Sequence, residues 1–85
     1  MEDLSIVELW REFFVMSATL FVLERVSSEG VIVRDKWSRA LVSFPIFKRQ
    51  LGVAQICEEH PTDEMVAAMA TYVRQVARNW RLIDP

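Results

Sequence analysis

Residues 13–23 read FFVMSATLFVL, eleven positions without a charge. Glu8, Arg11 and Glu12 precede this run, and Glu24 and Arg25 follow it. As a helix it would rise ~16 Å, about half the hydrocarbon core of a bilayer, so no membrane span is expected. Upstream, Ser5-Ile6-Val7-Glu8 has the S-x-x-E spacing of a capping box, in which two helix-end N–H groups are satisfied reciprocally. The cap and the run together predict a helix over residues 6–27, with Gly30 as its punctuation. Ile6, Leu9, Trp10, Phe13, Phe14, Met16, Leu20 and Phe21 cover more than half its circumference. The remaining arc holds Glu8, Arg11, Glu12 and Thr19, but also Val15, Val22 and Val26. A helix that is apolar nearly all round must be covered on more than one face. A chain of 85 residues has little to cover it with, so the expected cover is a second copy or another protein. The β-branched residues favour strand; length and the capping box outweigh them.

Working outward, Gly30-Val31-Ile32-Val33-Arg34 is a short β-branched run, read as an extended bridge. Asp35 reads as the N-cap of a short helix with Trp37, Ala40, Leu41 and Phe44 at i, i+3, i+4 and i+7. Pro45 ends that helix and can open the next, which carries Ile46, Phe47, Leu51, Ala54 and Ile56. After the break at His60-Pro61, Thr62 caps a last long helix with Asp63 and Glu64 in its first turn. Its apolar stripe is Met65, Met69, Tyr72, Val73, Val76 and Trp80, and Arg74, Arg78 and Arg81 line another face. The expected fold is therefore all-α: a single helical domain over residues 1–85, a small bundle of three to four helices. The first and last helices are long, and the bundle dimerises through one or both.

Charge is zoned. Residues 1–30 carry net −4, 31–50 net +4, 51–64 net −4 and 65–85 net +2, giving the overall −2. Eight arginines against two lysines favour bidentate ion pairs and interfaces. Cys57 is the lone cysteine, so an internal disulfide is excluded and a reducing, cytoplasmic setting is expected. The start Met1-Glu2-Asp3 has no basic region, so no secretory signal is expected.

Lys48-Arg49-Gln50-Leu51-Gly52-Val53-Ala54-Gln55 resembles the turn of a DNA-binding helix-turn-helix, where leucine, glycine and valine join two helices. It departs from that pattern at Lys48, where a small residue is usual, and at Glu58, where a buried aliphatic is usual. The recognition helix implied over residues 54–59 would carry Glu58 and Glu59 and no cation, which repels a polyanion. A basic-aromatic set, Arg34, Lys36, Trp37 and Arg39 with Lys48 and Arg49, has the composition that tracks a phosphate backbone and stacks a base. Helical spacing instead assigns Trp37 to the core. His60 lies among Glu58, Glu59 and Asp63, but one imidazole beside solvated acids is not the convergent set a metal needs. Cys57 lacks a base placed by the sequence and reads as a small buried residue. No catalytic or metal-ligating residues are assigned, and no cofactor or small-molecule substrate is expected.

The functional expectation is a non-catalytic interaction or adaptor protein that binds a larger protein or assembly as a homodimer. Its contacts are expected at Val15, Thr19 and Val22 on the first helix and at Arg74, Arg78 and Arg81 on the last. Ion pairs between these arginines and an acidic partner would set orientation and on-rate more than affinity. The alternative is nucleic-acid binding through the basic segment 34–49.

Overall fold

A computed structural model describes residues 19–85, and these form an antiparallel sheet with one helix packed on it. The elements are β1 (Phe21–Ser27), β2 (Gly30–Asp35), β3 (Leu41–Phe47), β4 (Gln50–Leu51), β5 (Gln55–Glu58) and α1 (Asp63–Asn79). β1, β2 and β3 form a meander. β4 and β5 share the far side of β3, at Ile46–Phe47 and Leu41–Ser43 respectively. The expectation of an all-α helical bundle is overturned. Of the expected first helix, residues 21–27 are strand β1 and residues 6–18 lie outside the described ones; the expected last helix is present, and the expected short helices are strands and turns.

Each misreading has a local cause. Phe21, Leu23 and Val26 face the core, spaced two and then three apart, which is helical spacing on paper. The register of β1 slips between Leu23 and Arg25. This β-bulge absorbs one residue and returns Val26 to the inner face opposite Val31. Val22 and Val26 are thus strand residues on opposite faces, not a second helical contact surface. Asp35 does accept a bond from the N–H three residues on, Ser38 (2.8 Å), as an N-cap would. The chain then turns left-handed at Arg39 (φ 67) and enters β3, so the helix never propagates.

Pro45 sits inside β3, paired with Gly30. Its carbonyl points to the β4–β5 side, accepting from Gly52 N at 2.7 Å. A strand residue's N–H points the same way as its carbonyl, so the missing donor falls where the partner strand is interrupted between β4 and β5. That placement is one of the few a sheet allows proline. The turn after it, Lys48-Arg49, has φ 52 and 62, the two-residue hairpin geometry usually built from Asn-Gly. The helix-turn-helix resemblance falls on this hairpin and on β4 and β5, so it describes no helix here.

α1 forms as the sequence dictates. Thr62 Oγ1 accepts from Met65 N at 3.2 Å, and Asp63 and Glu64 occupy the first turn. Its buried stripe of Met69, Tyr72, Val73 and Val76 lies on Val31, Val33, Val42 and Phe44. The Phe21 ring meets Tyr72 at 5.8 Å between centroids. At the C-terminus, Arg81 N bonds Arg78 O and Leu82 N bonds Ala77 O, the paired bonds of a Schellman cap, with Arg81 left-handed at φ 57.

Candidate protein-docking surface

Exposed aromatic and cationic side chains collect at the two ends of the sheet. At one end, the β2–β3 turn presents Lys36, Trp37 and Arg39, with Trp37 82% exposed. Asp35 builds this turn. Its carboxylate is buried, and Oδ2 accepts from Ser38 N and from Ser38 Oγ at 2.6 Å, while Asp35 N bonds Ala40 O.

The opposite end carries the β3–β4 turn. Phe47 there is 73% exposed, with Lys48 Nζ 5.5 Å from its ring centroid. The C-terminal tail is tied to this turn twice: Arg49 Nε donates to Asp84 Oδ1 at 2.7 Å, and Asp84 N bonds Arg49 O at 3.0 Å. The tie brings the end of α1, with Trp80 (63% exposed) and Arg81, to the same end of the molecule.

Between β4–β5 and α1 runs an open groove of about 440 Å³, floored by Phe44, Leu51, Ala54 and Ile56 and walled by Val66, Ala67 and Ala70 of the helix. Asp63 and Arg74 mark its two ends, ~16 Å apart along the helix axis.

No family model, curated protein or solved structure matches this chain.

The six residues of the basic-aromatic set are not brought together. Arg34 stands at the end of β2 beside the Trp37 turn but is consumed internally: Nε donates to Glu24 Oε2 (3.1 Å), and Nη1 donates to Glu58 Oε1 (3.3 Å) and Arg39 O (2.9 Å). The hydrogen bond to Glu24, and then that to Glu58, holds this guanidinium above its ordinary pKa. Lys48 and Arg49 lie beyond the far end of β3, ~20 Å from the Trp37 turn at strand rise, and Arg49 is paired. What remains as a cluster is Lys36, Trp37 and Arg39, with Trp37 on the surface and not in the core.

Of the expected protein contacts, Val15 lies outside the described residues, as do the capping box and most of the apolar run. Thr19 is exposed, directly before β1. Val22 is partly exposed on β1, paired with Arg34. Arg74, Arg78 and Arg81 are all exposed at the helix surface or its end, and none makes an ion pair among the described residues. Cys57 is exposed on β5, against the buried position expected of it. His60 donates from Nδ1 to Pro61 O, and no metal-holding group of side chains occurs among the described residues. No helix among them is long and apolar enough to cross a membrane.

Sequence reasoning missed Phe47 and Val53, which is 85% exposed. Both belong to strands and turns read as helix, where apolar spacing places Phe47 inward and leaves Val53 unassigned.

Proposed function

We propose that this chain is a non-catalytic interaction module that docks on a larger, acidic protein through the end where the β3–β4 turn meets the C-terminal tail. The observation that carries the reading is Phe47 and Trp80, both solvent-exposed, at one end with the cations Lys48 and Arg81, neither of which makes an ion pair among the described residues. Aromatic residues and arginine are what protein interfaces concentrate, and tryptophan and arginine are frequent energetic anchors. The two bonds between Arg49 and Asp84 order the platform before binding, which lowers the entropic cost of docking. A partner offering an apolar surface rimmed by carboxylates satisfies both the rings and the cations.

The test is a photo-crosslinking residue at Phe47 in one variant and at Trp37 in another, each in the full chain in producing cells. A discrete protein adduct at Phe47, lost with Trp80→Ala and Arg81→Glu, supports the docking end. No adduct there, or the same adducts at both positions, refutes it.

A second reading rests on Trp37, exposed between Lys36 and Arg39 as a base-stacking platform would be. It is favoured if the Trp37 variant captures nucleic acid, if oligonucleotide binding weakens steeply with salt, and if Arg39→Glu abolishes it.

A further inference from the structure

The solvent side of α1 carries Glu64, Ala67, Thr71, Arg74 and Arg78, spaced three and four residues apart in alternation. That spacing lines them up in a seam along one face of the helix. The seam is polarised: Asp63 and Glu64 at the start, Arg74 and Arg78 toward the end. Charges at the helix termini alone are explained by the macrodipole, whose effect fades within a turn. Arg74 lies further in than the last turn and is not so explained. Within one helix Glu64 and Arg74 are ~15 Å apart along the axis, so they cannot meet each other. Neither makes an ion pair among the described residues.

We propose that two copies of this chain pair antiparallel through this face, Glu64 of each copy against Arg74 of the other. An isologous twofold contact needs a self-complementary patch, and this seam has one. In the same register Ala67 of each copy faces Thr71 of the other. These small side chains at the crossing let the two helix axes approach within the usual ~8–10 Å. Thr71, Arg74, Gln75 and Arg78 border a shallow recess of about 430 Å³, and Glu64 of the second copy comes down over it. The occupant is a second copy, because the patch matches its own reverse: acid to cation at both ends, small to small at the centre. The contact is short and mostly polar, so the dimer is reversible and salt-sensitive, its ion pairs fixing direction more than affinity. The pairing does not use the docking end, and either can stand without the other.

The test is sedimentation equilibrium of the full chain from micromolar to millimolar concentration, at low and at high salt, with circular dichroism confirming the fold of every variant. The wild type should dimerise. Glu64→Arg and Arg74→Glu should each raise the dissociation constant by more than about tenfold, since each sets like charges opposite one another at two symmetric places. The double variant E64R/R74E should dimerise again, and an equimolar mixture of the two single variants should form a heterodimer. Glu64→Arg also disturbs the first turn of the helix, but the double variant carries the same disturbance, so recovery there comes from the pairing. A monomeric wild type overturns the proposal, as does a folded double variant that stays monomeric, or single variants that dimerise as tightly as the wild type. None of these outcomes changes what is captured at Phe47, so the two proposals fail separately.

Discussion

Replacing Arg81 by glycine should make this domain more stable, although it removes a charged side chain and adds no contact. Arg81 occupies the left-handed position of the cap on α1, at φ 57, where Leu82 N reaches Ala77 O at 2.8 Å. For a residue with a Cβ, holding that conformation costs about 1–2 kcal/mol. Glycine holds it without strain but loses about 0.5–1 kcal/mol more in backbone entropy on folding. The difference leaves Arg81→Gly ahead by roughly 0.5–1 kcal/mol, a rise of about 2–8 °C in Tm for a domain of this size. Arg81→Ala is the control: it deletes the same side chain but keeps the Cβ, so it should stay within about 0.5 kcal/mol of wild type, as surface changes do. Urea unfolding followed by circular dichroism measures all three proteins, at unchanged m-value. If the Arg81→Ala variant is as stable as the Arg81→Gly variant, the cap is not strained at this residue and the reasoning fails.

Tyr72 is the only tyrosine of the chain, and burial pushes its phenol above the ordinary value of 10.0. The folded state therefore holds that proton to higher pH than the unfolded one. Its contribution to stability is complete below about pH 10 and is lost as pH rises through the folded pKa. Tyrosinate absorbance should titrate once, above pH 10, and drop to the ordinary value in denaturant. A midpoint unchanged by unfolding would refute the burial. Gly30→Ala would place a Cβ 2.9 Å from Phe44 O at φ +157, so urea unfolding should show a loss of about 1–3 kcal/mol; a neutral result would mean the β2–β3 pairing is looser than drawn. Breaking the exposed Arg49–Asp84 pair with Asp84→Asn should cost less than about 1 kcal/mol, with the difference vanishing in high salt.

What the sequence made legible was what local chemistry decides. Thr62, the acids after it and the stripe from Met69 to Val76 all point to one helix, and that helix is there. The strands were hidden by devices that break the alternation of a regular sheet. The bulge in β1 converts strand spacing into helical spacing, and Pro45 stands in a strand interior at the one gap in its partner. The β3–β4 turn uses Lys-Arg where Asn-Gly would have announced a hairpin. Asp35 caps a single turn that goes no further. The exposure of the arginines on α1 could be read from period alone. The loss of Arg34 as a free cation could not, because its acidic partners Glu24 and Glu58 reach it only across the sheet.

Among the described residues, five non-glycine ones hold positive φ: Arg39, Lys48, Arg49, Glu59 and Arg81. All five are charged, and at ~1–2 kcal/mol each their strain is a large fraction of the roughly 5–15 kcal/mol that keeps a small domain folded. Both glycines of the chain stand where a Cβ would crowd the neighbourhood of Pro45. Two of the five have a visible return in the fold: the Arg39 carbonyl receives Arg34, and Arg49 ties down Asp84. The charged groups of Lys48 and Arg81 have no ion pair among the described residues, and both stand at the end that carries exposed Phe47 and Trp80. Strain kept at a charged residue with no acidic partner inside the fold is expected where the side chain serves a contact outside it. Glycine at either position should then move two readouts in opposite directions, raising the unfolding midpoint while weakening capture at Phe47. Variants that gain stability and keep full capture would separate the strain from the docking and leave Lys48 and Arg81 with no role in it.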